Sequence, residues 1–395
     1  METWSIVLIS ISVVAFFSLL SRNFSKNLPP SPPAFPIIGH LLWLLKPYAE
    51  MELILRNLHE KYGPIFTLYI GRKPLIFIAT RSLAHEALVQ NSAIFTDRPP
   101  IAPTTKIFTC NQHSISFGSY DPKWRLLRRN ITSEILCLPR IRSYSHARKW
   151  AWKILVDRLQ SHSQSGAPIP EENNRKLTES EVTSLCAEFL DAGTGSTSTA
   201  FQWIMANLVK YPEVQEKLFM EMKKVIGDGK EELSEEEVER VPYLKAVILE
   251  GFRRHPPAHN LLAHAATEDT VLNGFVVPKG VAVNFLVAEM GLDPKAWKDP
   301  MAFKPERFLD QGQVVYDITG SKEIKMLPFG AGRRMCAGYN LGILHLEYFV
   351  GNLVWKFQWK AMEGDGDVNF AEEDEFTIPM KYSLQANISP RVRRE

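Results

Sequence analysis

Phe329-Gly330-Ala331-Gly332-Arg333-Arg334-Met335-Cys336-Ala337-Gly338 is the stretch on which the reading of this chain turns. Its glycines break regular structure and let the backbone pass close to whatever it holds. Cys336 then stands at the mouth of an apolar helical pattern running through Leu341, Leu344, Phe349 and Leu353. The first N–H groups of a helix lack partners and carry partial positive charge, and both favour thiolate over thiol. Arg334 adds a cation two residues away. A lone cysteine is ordinarily a small buried hydrophobe. The glycines, the arginines and the helix start weigh against that default and point to a ligand. Zinc would need further ligands, and none stands close in sequence.

The rest of the chain bounds the answer. Its 395 residues are 45% hydrophobic and 23% charged, which is globular and long enough for a large core. Lys+Arg is 46 against Asp+Glu 44, a net charge of +2 that argues against a nucleic-acid binder. Cys110, Cys137, Cys186 and Cys336 lie far apart with no C-x-x-C, so neither a disulfide framework nor a zinc ribbon is expected, and a reducing, cytosol-facing compartment fits. Helical periodicity predicts helices over Glu50–Lys61, Ser82–Asn91, Pro122–Glu134, Arg142–Ser161, Thr178–Lys210, Glu213–Val225, Glu235–Val241, Tyr243–Arg254 and Gly338–Phe357. Strand-like runs are Ile65–Ile70, Leu75–Ile78, Thr270–Val277, Val281–Leu286 and Phe376–Ile388. The fold class is mostly α with small β sheets (α+β).

Other residues could carry chemistry. Trp124 and Arg128 lie one helical turn apart, so an indole N–H and a guanidinium can reach one carboxylate. Glu250 and Arg253 share a helix face at i and i+3, a pair worth only a few tenths of a kcal/mol if exposed. Ala192 to Ala200 is a run of small and hydroxylic residues within an apolar helix, which invites a bend and leaves room beside the backbone. Lys123, Arg125, Arg128, Arg129, Arg140, Arg142, Arg148, Lys149 and Lys153 form a basic set, and Glu363–Glu375 an acidic loop. Solvated faces are the default reading of both. For Cys336, a single thiolate suffices to hold haem iron, where it favours O–O cleavage.

At this point the chain resembles the cytochrome P-450 superfamily of haem-thiolate monooxygenases. Phe329–Gly338 matches the family's F-x-x-G-x-R-x-C-x-G at every defined position. The resemblance makes Cys336 the axial iron ligand and Arg334 a propionate partner, with Phe329 opening the loop. Trp124 and Arg128 match W-x-x-x-R, whose ends bond haem propionates, and His264 occupies a place that often supplies another propionate partner. Glu250, Arg253 and Arg307 match a buried structural triad. In Ala192-Gly193-Thr194-Gly195-Ser196-Thr197 the family's A-G-x-[DE]-T-[TS] meets Gly195 at the acid position and Ser196 at the threonine. Ser196 and Thr197 are then the hydroxyls that assist oxygen activation, while Gly195 relays no proton.

The resemblance runs in order over nearly the whole chain and looks like a plant-type microsomal member, with one large departure. Only 64 positions separate Arg128 from Ala192. Full-length members carry a much longer stretch there, holding the helices that roof the substrate pocket. Part of the central helical region is missing, with the joint near Ser163–Glu172.

Trp4–Leu20 is 17 residues without charge, just enough to cross a bilayer as a helix. Arg22 and Lys26 follow it, which places the body in the cytosol. Five prolines between Pro29 and Pro36 predict a stiff spacer. The expected organisation is an anchor over 1–27, a proline-rich hinge over 28–36 and a haem-binding catalytic domain over 37–395. The resemblance implies haem b, electrons from an NADPH-cytochrome P-450 reductase, a lipophilic small-molecule substrate, and residence in the endoplasmic reticulum membrane with no nucleic-acid partner. Candidate pocket residues are Thr105–Asn111, Phe189–Thr197, Ala258–Ala263 and Thr377–Met380. Two other classes stay open: a haem-binding but impaired variant, and a membrane-tethered interaction protein without turnover.

Overall fold

The computed structural model describes residues 3–22, 27–35, 37–109, 112, 114–165, 191–227, 229–362, 368–375 and 377–391. Cys110, Cys186, residues 166–172 of the joint and residues 178–190 of the Thr178–Lys210 helix lie outside them.

Helices build one side of the core. Ser196–Lys210, Pro242–Arg254 and Tyr339–Lys356 pack together through Ile204, Leu208, Leu244, Val247, Val350 and Val354. Close approach is set by Gly251, where a Cβ would lie 2.4 Å from Ile204. On the other side a four-stranded sheet runs in the order Ile65–Ile70, Lys73–Ile78, Ala282–Phe285, His264–Ala265. The first pair is antiparallel, with Leu68 opposite Leu75, and the middle pair parallel, with Ile76 opposite Val283. A bridge from Ala265 to Asp97 brings the loop before the Trp124 helix to the sheet edge. Phe95, Phe285, Leu327 and Ala331 form the core beneath it.

Most helices fall where the period puts them, and the departures have local causes. Ser82–Asn91 divides into Arg81–His85 and a widened π turn, Glu86–Gln90. The expected helix from Arg142 begins at Ser145 and runs to Ser165, after a short one over Leu138–Ser143. Thr270–Val277 is a hairpin, because Asn273 and Gly274 take φ values of 51° and 78°, the positive pair of a tight turn. Phe357–Ala361 is a strand paired with Ala386–Pro390, and of the expected Phe376–Ile388 strand residues 377–385 are loop. The proline segment docks instead of standing free. Its carbonyls accept from Thr67, N–H to Pro30 at 2.8 Å and Oγ1 to Pro29 at 3.0 Å. Thr3–Arg22 is one helix of 20 residues. Among the described residues no helix is long and apolar enough to cross a membrane, so the expected crossing is not shown.

Candidate active site

The cysteine loop is built by its own backbone. Cys336 N–H donates to Phe329 O at 2.8 Å and closes the stretch into a ring. Gly332 takes φ +68°, and a Cβ there would lie 1.8 Å from the Leu88 carbonyl oxygen, so only glycine fits. The Tyr339–Lys356 helix starts directly after it. The Cys336 side chain has an exposed side, but protein crowds the others. Burial pushes the thiol pKa above its ordinary value, opposed by the Gly338 N–H and the Arg128 guanidinium. The expectation that the helix start favours thiolate is thus outweighed by desolvation. A bound metal cation reverses that balance, since a coordinating thiol loses its proton.

Beside the loop sits a cluster of cations. Arg334 lies over the Trp124 ring at 4.0 Å and donates to Thr96 O at 2.7 Å and Gly118 O at 2.6 Å. Trp124 Nε1 donates to Ile115 O at 2.8 Å, and Arg128 Nη2 to Met335 O at 2.5 Å. Arg98, absent from the sequence reading, is buried here and donates to Ser116, Leu262 and Ala263 carbonyls. Burial, then Arg334, pushes Arg98 down to about 9. Burial pushes Arg334 down to about 10, with Asp97 opposing and Arg128 assisting. Asp97 Oδ1 accepts from the backbone N–H groups of Arg98 and Tyr120. Guanidinium groups this close, one buried and two half-buried, with Arg334 lowering the pKa of Arg98 and Arg128 that of Arg334, suit an anionic partner. With one thiolate alongside, this donor set fits an iron porphyrin and its two carboxylates.

His264 sits on the sheet edge beside this cluster. Its Nδ1 lies 2.7 Å from Phe95 O, an acceptor, so Nδ1 carries the hydrogen. Burial, then Arg98, pushes its pKa down to about 3, and the ring is neutral. Its Nε2 is left an acceptor, which suits an N–H donor and not a carboxylate. Arg98 beside it offers the N–H donors that the neutral His264 ring does not. No periodicity marks Arg98 in the sequence, because it lies in an irregular loop between Asp97 and Pro99.

The small-residue helix meets the loop over Gly342, where a Cβ would lie 3.8 Å from Phe329 and 4.0 Å from Thr197 Oγ1. Phe329 also stands edge-on to Phe252 at 4.9 Å. The expected bend is present as a π turn over Asp191–Gly195. Ser196 Oγ donates to Ala192 O at 2.5 Å, so its proton points back along its own helix.

Behind the site, Glu250 and Arg253 form a fully buried bidentate pair at 2.7 and 2.8 Å, and Arg307 Nε adds a contact to Glu250 at 3.1 Å. The solvated-face readings need correction at particular residues. Arg148 is buried on Glu235 at 2.7 Å. Arg142 pairs with Glu239 at 3.0 Å. Glu372 of the acidic loop and Glu52 flank buried His259 at 3.5 and 3.2 Å.

Comparison with known proteins places these features. The family model described as Cytochrome P450 matches residues 29–171 and 168–385, two pieces that meet where the sequence suggests a joint. The chain is 40% identical to cytochrome P450 89A9 of Arabidopsis thaliana over 510 residues, covering 99% of this chain and 100% of that one. That alignment is far longer than the 395 residues here, so a long stretch of the relative has no counterpart. Identity is 27% to a 5-epiaristolochene 1,3-dihydroxylase of Nicotiana tabacum, over 96% of this chain and 98% of that one. A zebra fish cytochrome P450 solved with abiraterone superposes with TM-score 0.68 at 24% identity, covering 86% of this chain and 100% of that one.

Proposed function

The chain belongs to the cytochrome P450 family, and from that premise we propose that it is a haem-thiolate monooxygenase acting on an apolar small molecule. The observation that carries the reading is Cys336, open on one side at the end of a glycine loop, with half-buried Arg128 and Arg334 and buried Arg98 clustered alongside. Relatives named as a 1,3-dihydroxylase and a flavonoid 3'-monooxygenase support oxygen insertion as the reaction class.

Haem b, when bound, supplies the redox chemistry of dioxygen activation. Cys336 holds the iron. Arg334, Arg98 and Arg128 would hold the propionates, with the Trp124 ring, whose N–H serves Ile115 O, stacked on Arg334 to position it. Phe329 and Phe252 wall the loop with apolar surface, which limits water near the sulfur. On the small-residue helix the Thr197 hydroxyl faces Gly342 of the loop's helix, while Ser196 keeps its proton on Ala192 O. Electrons come from an NADPH-dependent flavoprotein reductase, for which Lys123, Arg125, Arg129, Lys149 and Lys153 form a basic docking face. The uncharged Trp4–Leu20 run anchors the protein in the endoplasmic reticulum membrane, with the body in the cytosol. Resistance to carbonate extraction, lost on deleting residues 1–26, is the expected behaviour; extraction of the full chain would overturn the anchor.

The test of activity is transfer of labelled oxygen from dioxygen into a lipophilic substrate, dependent on NADPH and reductase and abolished in Cys336→Ser. Label entering from water instead would overturn it. A second reading, a haem protein with impaired turnover, is favoured by Gly195 at the family's acid position and by the unmatched stretch in the 510-residue alignment.

A further inference from the structure

Gly195 ends the widened turn Asp191–Gly195, and among the described residues its Cβ position has one neighbour outside its own helix within 4 Å, Thr377 Oγ1 at 3.9 Å. That neighbour is held in place through the residue that follows it. The next residue, Ile378, is buried; its carbonyl accepts from Trp203 Nε1 at 2.8 Å and its N–H donates to Pro257 O at 2.9 Å. Trp203 belongs to the helix that continues from Gly195, so helix and loop are fixed in register to each other.

The hydroxyls of the helix itself are turned elsewhere. Ser196 donates to Ala192 O and Ser198 to Gly195 O at 3.0 Å. Thr197 faces Gly342 and Phe329. Thr377 is half-buried, with a hydroxyl that can accept one proton while donating another.

We propose that Thr377 is the proton-relaying hydroxyl of this site, acting from the C-terminal loop beside the position where the helix has Gly195 instead of an acid. The proposal rests on the monooxygenase reading. Thr377 Oγ takes a proton from water on its open side as it gives its own into the space beside Gly195. No carbon bond changes and no electron moves.

Two measurements on the haem-loaded full chain test it. The first is a thermal double-mutant cycle with Gly195→Asp and Thr377→Val. Facing residues couple, so the Tm shift of the double variant departs from the sum of the single shifts; additive shifts overturn the juxtaposition. The second is peroxide released per product formed, with reductase and NADPH. Thr377→Val raises that ratio by about tenfold, below the full contribution of a positioned proton donor. Thr377→Ser leaves it near the natural value, and Gly195→Asp restores it in the Thr377→Val background. An unchanged ratio in Thr377→Val overturns the relay and leaves the monooxygenase reading standing, because the thiolate band of the reduced carbon-monoxide complex persists. A natural chain that lacks that band, or gives peroxide without product, overturns the relay together with the reading.

Discussion

The Arg334 guanidinium carbon lies 4.0 Å from the centre of the Trp124 indole, stacking the cysteine loop on the Pro122–Asn130 helix. A half-buried cation on an indole face is worth roughly 0.5–2 kcal/mol, and the fork also serves three carbonyls. Lysine keeps the charge but neither the plane nor the fork. Arg334→Lys is expected to speed haem loss to an apo-myoglobin acceptor and to lower the Tm of the holoprotein. Unchanged haem retention would show that the stack does not organise the site.

Glu250 accepts from Arg253, Arg307 and the Lys304 N–H, with no side-chain exposure of its own. Removing one partner of a buried charged set costs about 3–5 kcal/mol, because the others keep charges they cannot solvate. Glu250→Gln should therefore shift the denaturant midpoint sharply down, whereas Lys304→Ala, which loses only an exposed pair with Asp299, should move it little. Equal shifts would refute the triad's structural role.

Gly332 combines φ +68° with a backbone approach that leaves no room for a methyl group. A non-glycine residue in that region costs on the order of 1–3 kcal/mol before any clash. Gly332→Ala should weaken haem retention much more than Gly229→Ala, whose glycine also has positive φ but open space around its Cβ position.

His259 supplies a pH dependence remote from the cysteine loop. Burial lowers its pKa, but contacts with Glu372 and Glu52 outweigh that and raise it to about 9. Arg56 and Arg254 stand near the same carboxylates. Because the folded pKa lies above the ordinary 6.5, the clamp's stabilisation is full below about 6.5 and is lost as pH rises through about 9. The amount is on the order of 1–3 kcal/mol. Tm measured between pH 6 and about 10 should fall more steeply for the natural chain than for His259→Gln; parallel curves would exclude the clamp.

Sequence and structure agree where a short-range rule carries the information. Glu250 and Arg253 are one helical turn apart, so their pairing is legible, and the glycine and cysteine spacing of Phe329–Gly338 specifies a loop directly. Arg98 was not legible, because its partners Ser116, Leu262 and Ala263 come from distant loops that only the folded sheet edge brings together. His264 was placed in the right neighbourhood, but its tautomer depends on the Phe95 carbonyl, which no local pattern reveals. Thr377 facing Gly195 is likewise a contact between the small-residue helix and the C-terminal loop, made by the Trp203 to Ile378 hydrogen bond.

The central claim is that Cys336 holds a haem iron as thiolate. It is tested most directly by the difference spectrum of the reduced, carbon-monoxide-bound protein in membranes. The natural chain, Cys110→Ser, Cys137→Ser and Cys186→Ser should all show the red-shifted Soret band of thiolate ligation, and Cys336→Ser should lose it. A band that survives in Cys336→Ser, or is lost in one of the other three instead, would contradict the account.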